Sequence, residues 1–150
     1  MNKKLVYGFF IIIVLILIAY CINDFTINKK LDNDKSFEGV SMLKINIDGK
    51  DYIMNIEKNE TTKHLINILP KTFKMSDLND NEKYIYLDES LPKDEILPRY
   101  INAGDVMLFG DNCLVIFYKS FDTVYKYTKI GHIDNLPDLG SESVSVTITK

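Results

Sequence analysis

Few side chains in this 150-residue chain are of a type that does chemistry, and they are scattered. There are two histidines, His64 and His132, two cysteines, Cys21 and Cys113, and a single arginine, Arg99. Nucleophilic catalysis needs a Ser or Cys within reach of a base, and neither histidine has an evident partner of that kind. A Gly-Xaa-Ser-Xaa-Gly elbow is also missing, so a hydrolase has little support. His64 has no second His, Cys or clustered acid at ligand spacing and reads as a surface residue, as does His132 in its Gly-His turn. Asp77, Asp80 and Glu82 form an acidic corner, but without the spacing or helix pair of an EF-hand calcium loop. Clustered Asp and Asn are first of all turn residues, so this corner reads as a solvated turn. The sequence points to no metal and no cofactor.

Recognition is better provided for than catalysis. With no Trp, nine Tyr and eight Phe, any pocket must be walled by Tyr and Phe. The candidate ligand-binding residues are Met75, Tyr84, Tyr86, Phe109, Tyr118, Phe121 and Tyr125, with Tyr127 beside them. Tyrosine combines apolar area with a polar tip, as binding surfaces require, and the ligand expected is a peptide or a small molecule. Each of these residues is also of the kind that fills a core. A net charge of -3, with lysines and acids interspersed, excludes nucleic acid as a partner, because phosphate neutralisation needs a clustered basic face.

The elements that must position these residues are short strands. Val106 to Phe109 and Cys113 to Tyr118 flank Gly110, Asp111 and Asn112, which reads as a hairpin with a bulged turn. The second run is apolar on both faces and is therefore expected to be a central strand covered on both sides. Upstream, Leu43, Ile45 and Ile47 alternate with polar residues, Asp48-Gly49 turns the chain, and Tyr52 to Ile56 returns. Asn59 to Pro70 reads as one amphipathic helix, with Asn59 or Thr61 as its cap, Leu65, Ile68 and Leu69 on one face, and Pro70 as its stop. Thr72 to Met75 and Tyr84 to Leu87 are further strand candidates. Asp88 to Asn102 is a long irregular segment holding Arg99, and Val144 to Thr149 alternates as a closing strand that would pair with the first. Seven or eight strands and one helix predict a mainly β fold, a small closed barrel.

The N-terminus is different in kind. Lys3 and Lys4 precede an uncharged run, Leu5 to Ile22, about 27 Å long as a helix and close to a bilayer's hydrocarbon thickness. Residues 1–22 are expected to be a transmembrane signal anchor, residues 23–41 a polar tether, and residues 42–150 the globular domain. That predicts a single-pass protein of the cell membrane, contacting it through residues 5–22, with its domain extracytoplasmic. Cleavage after the segment and lipidation at Cys21 remain open alternatives. Tyr20, where a lipobox has a small residue, weakens the second. Cys113 is expected to be an inert buried thiol rather than a disulfide partner of Cys21.

Several separated motifs in order carry a family resemblance: Asp48-Gly49, Ile68-Leu69-Pro70, Met75-Ser76-Asp77-Leu78-Asn79, Glu82-Lys83-Tyr84, Ala103-Gly104-Asp105-Val106-Met107-Leu108, Asn112 to Tyr118, and Gly131-His132-Ile133. Over roughly residues 42–149 the chain resembles the bacterial cyclophilin-like domain family. That resemblance implies a barrel of about eight strands with a capping helix, like that of the prolyl isomerases. It does not carry their activity. Cyclophilins have a catalytic arginine on an early strand and a Gln-Phe-Phe run on a central one. Here Thr72-Phe73-Lys74-Met75 offers only Lys74, and Cys113 to Phe117 has no Gln. Lysine is a poor substitute for a planar fork that polarises an amide. The expectation is a binding module without efficient isomerase activity; the alternative is a peptidyl-prolyl isomerase with a non-standard site in which Arg99 or Lys74 serves.

Overall fold

The computed structural model describes residues 11–26 and 40–150. Residues 11–26 form helix α1, whose side chains are exposed along its whole length. Residues 5–10 of the expected membrane segment, and residues 27–39 of the expected tether, lie outside the described residues. Among the described residues no helix is long and apolar enough to cross a membrane.

The second compact unit follows. Strands β1 (Met42–Ile47) and β2 (Lys50–Ile56) form the opening hairpin. Its turn places Asp48 at φ 46° and Gly49 at φ 87°, the left-handed pair that a two-residue hairpin requires. Helix α2 (Glu60–Asn67) is capped by Asn59, whose side chain accepts from the Thr62 amide at 2.9 Å. Asn59 also donates to the Lys129 carbonyl at 2.7 Å, tying the helix start to the sheet. Leu65, Ile66 and Leu69 are buried beneath the helix.

The remaining strands are β3 (Lys71–Leu78), β4 (Glu82–Tyr86), β5 (Tyr100–Ile101), β6 (Asp105–Phe109), β7 (Cys113–Phe117), β8 (Phe121–Asp122), β9 (Thr128–Ile133) and β10 (Val144–Thr149). Eight of them close a barrel in the order β1-β10-β3-β4-β7-β6-β9-β2. The expected pairing of the last strand with the first is present, Ile45 opposite Ile148. The barrel interior is filled by one face of each strand, including Leu43, Ile45, Met75, Val106, Leu108, Leu114, Ile116, Val146 and Ile148, all 5% exposed or less. At this packing each such side chain contributes about 1.5–3 kcal/mol of burial.

Strands β5 and β8 stand apart as a two-stranded sheet. With the Ile96–Tyr127 bridge they turn the irregular segment from Asp88 into a second layer outside the barrel. This layer explains why β7 is buried on both faces. Leu114 and Ile116 point inward, while Cys113, Val115 and Phe117 pack outward against Ile101, Tyr127 and Phe121.

Candidate functional site

Alternation along three neighbouring strands decides which side chains face outward. On β4 these are Glu82, Tyr84 and Tyr86, and their cross-strand partners on β7 are Phe117, Val115 and Cys113. On β6, Met107 and Phe109 lie opposite Val115 and Cys113. The β5–β8 layer covers only part of this face. Between it and the β3–β4 corner lies a cavity of about 410 Å³, within the range that holds a small ligand.

Its walls are aromatic. Tyr84, Tyr86, Phe109, Phe121, Tyr125 and Tyr127 all line it. Tyr84 meets Tyr86 edge-on at 5.9 Å between ring centres, and Phe109 meets Tyr125 in the same manner at 6.0 Å. Phe117, beneath, contacts Phe121 at 5.7 Å and Tyr127 at 5.5 Å. Edge-to-face contacts fix the planes of these rings before any ligand arrives.

The polar groups of the cavity come from the β3–β4 corner and β7: Asn79, Asn81, Glu82 and Cys113. The corner turns through Asn79 and Asp80, both left-handed at φ 55° and 54°, a conformation that Asn and Asp tolerate through their short polar side chains. Asn81 follows with its Oδ1 buried and without a hydrogen-bond partner. Burial, and then the charge of Asp77, push the Glu82 carboxyl up to about 7. Burial, and then Glu82, push the Cys113 thiol up to about 11, so it stays protonated and unreactive at neutral pH. Among the described residues both cysteines are free, Cys21 exposed and Cys113 buried.

The next residue along β4 faces the other way. Lys83 is fully buried at the end of the barrel interior, where its ammonium donates to Asp77 Oδ1 at 2.6 Å, to the Glu142 carbonyl at 2.8 Å and to the Gly140 carbonyl. It also sits 4.8 Å from the ring centre of Tyr118, whose hydroxyl donates to Asp77 Oδ1 at 2.6 Å. Burial works against ionisation of Asp77, but the hydrogen bonds from Lys83 and Tyr118 outweigh it and hold the carboxyl below its usual range. The corner is therefore not simply a solvated turn, since Asp77 is one half of a buried ion pair.

Five of the seven candidate residues, Tyr84, Tyr86, Phe109, Phe121 and Tyr125, thus come together, and Tyr127 joins them. Met75 and Tyr118 do not. Met75 is on the inward face of β3 and is completely buried, and Tyr118 serves the Lys83 network. Arg99 is exposed at φ 63° just before β5, and it is not among the residues lining the cavity. Lys74 is exposed on β3. His132 is held by Asp105 at 3.0 Å and no described Ser or Cys hydrogen-bonds to it, while His64 contacts the Glu60 carbonyl at 2.9 Å. No group of three or more His, Cys, Asp or Glu among the described residues is placed to hold a metal.

The sequence model of the cyclophilin-like family matches residues 45–149, the barrel almost from end to end. This chain belongs to the cyclophilin-like family. No curated protein and no solved structure matches it closely enough to count as a relative. In this cyclophilin-like domain the cavity lies on the outer face of the barrel, and the interior is packed with side chains.

Glu82 and Asn81 are the site residues that the sequence pattern hides, because they sit in a run that looks like polar turn. The signal was present in period two: counting back from Tyr86 through Tyr84 places Glu82 on the same face.

Proposed function

We propose that this cyclophilin-like domain is a membrane-anchored, extracytoplasmic binding module, and that its ligand, a small molecule or an extended peptide segment, occupies the outer-face cavity. The observation that carries this reading is the state of the cavity's aromatic rim. Tyr86, Phe109 and Tyr125 are 63%, 43% and 60% exposed, far more than core packing would leave. They adjoin a concave space with a few polar groups at one end, the usual build of a ligand site. A lack of efficient isomerase activity is supported by the lining itself, which includes neither arginine nor lysine to polarise a prolyl amide.

Anchoring is supported by α1, where Ile11, Ile12, Leu15, Ile16, Leu17 and Ile18 are exposed around the whole circumference. A helix apolar all round has its place in lipid or in a core. Lys3 and Lys4 before it favour an inside N-terminus. Protease treatment of intact cells should remove the domain while α1 stays in the carbonate-washed membrane fraction; recovery of full-length protein in the soluble fraction sinks the anchor.

The binding reading is tested by NMR on the full chain in detergent, titrated with Xaa-Pro peptides and small apolar compounds. Saturable shifts at Tyr84, Cys113 and Phe121, without accelerated cis/trans exchange, are expected. Exchange faster than the uncatalysed scale of tens of seconds would instead make the domain a prolyl isomerase with a non-standard site. No response to any compound would refute the binding module.

A further inference from the structure

Glu82 is the one carboxyl among the residues lining the cavity, and around it stand six aromatic rings. No described side chain donates a hydrogen bond to the Glu82 carboxylate, and its one charged neighbour of note is Asp77, which is of like sign. Lysines close to this corner are committed elsewhere: Lys83 points into the barrel and Lys119 pairs with Asp80 at 2.9 Å. A half-buried carboxylate without a cation is unfavourable in the empty protein. The partner that would relieve it is a group that is positively charged and rich in N–H.

Resting on the reading of this cavity as a ligand site, we infer that it selects a protonated amine carried on an apolar body. The ammonium sits at Glu82, and the apolar body lies among Tyr84, Phe121 and Tyr127. Two effects converge on this choice. The carboxylate supplies charge attraction and a hydrogen-bond acceptor, and the negative faces of the rings attract a cation further. An anion would meet Glu82 and Asp77 with no compensating cation in the lining. A neutral apolar ligand would leave the Glu82 carboxylate without a partner.

The amine also makes recognition pH-dependent. Of the titratable groups facing Glu82, Asp77 from β3 is ionised at neutral pH, while Cys113 from β7 and Tyr127 before β9 are both raised and uncharged. Only Glu82 changes charge between pH 5 and 8, so an amine of high pKa should bind more tightly as pH rises through about 7.

The experiment is calorimetric titration of the full chain in detergent at pH 8 with three probes of one shape: phenethylamine, 2-phenylethanol and 3-phenylpropanoate. The amine should bind at least tenfold more tightly than the alcohol, and the carboxylate should not bind. Glu82→Gln should reduce the amine affinity at least tenfold and the alcohol affinity by much less, and the unsubstituted protein should lose a similar factor for the amine at pH 5. Equal binding of amine and alcohol overturns the amine inference and leaves the binding module standing, as does silence of the amine while Xaa-Pro peptides still shift the cavity residues. Silence of every probe and peptide removes both.

Discussion

Lys83 and Glu82 are adjacent on one strand, and the barrel wall separates them. Lys83 is buried with three acceptors and an aromatic ring around its ammonium, so its charge is compensated on every side. Glu82 is half-buried with no donor, and the neighbouring Asn81 Oδ1 has none either. The inner group joins the β3–β4 corner to the chain around Gly140–Glu142 and closes that end of the barrel. The outer pair is left unsatisfied, at a cost in stability, beside an aromatic cavity. The difference separates buried polarity that holds the fold from buried polarity that the fold leaves unpaired.

The contrast can be broken most forcefully at Lys83. Lys83→Met keeps the stem's volume but leaves Asp77 as an uncompensated buried charge, and should cost about 3–5 kcal/mol in urea unfolding followed by tyrosine fluorescence. A loss below about 1 kcal/mol would show that the inner network does not hold the corner. Glu82→Gln should act in the opposite direction. Its folded-state pKa is raised, so its contribution is fully present below the unfolded value and lost as pH rises through about 7. The unsubstituted protein should thus lose stability between roughly pH 4.5 and 7.5, and the Gln variant should be the more stable by about 1–2 kcal/mol at pH 8, a figure reduced for partial solvation. Equal stabilities of the two proteins at pH 5 and pH 8 alike would mean that Glu82 is solvated rather than strained.

Tyr118→Phe sharpens the inner side. It removes the hydroxyl donated to Asp77 while keeping the ring over Lys83, and should cost about 1 kcal/mol with ligand affinity unchanged. An altered affinity would couple the two faces. The smallest effect on stability is expected at Tyr125→Ala, within about 0.5 kcal/mol because the side chain is exposed. The same variant should lose several-fold in ligand affinity by titration, and an unchanged affinity would take the rim out of the site.

Legibility in the sequence followed the range of the interactions. Asp48-Gly49, the Asn59 cap and the alternation of β1 and β10 are local, and each element formed where its residues said. The unbroken apolar run of β7 announced a strand covered on both faces, without saying that β5, β8 and the Tyr127 segment provide the outer cover. Thr72 to Met75 proved to be only the middle of an eight-residue strand, because pairing with β10 and β4 extends it in both directions. Residue type alone makes Met75 and Tyr118 candidates for the cavity, whereas alternation and the Lys83 network place them on the inner side.

By itself the sequence determined the opening hairpin, the start of α2, the central strand β7, the closing strand β10 and the barrel class, because hydrophobic period and turn stereochemistry act within a few residues along the chain; β5, and the strand β9 that runs through the supposed Gly131-His132 turn, needed their pairing partners. Which of the two faces of β4 meets the interior was settled only by the closed register, since period two says that Glu82 and Lys83 part company but not which goes in. The same holds for the charges. Whether a lysine is solvated or encased, and whether a glutamate titrates near 4.5 or near 7, depends on atoms brought from β3, β7 and the Gly140 segment, and only the tertiary structure brings them.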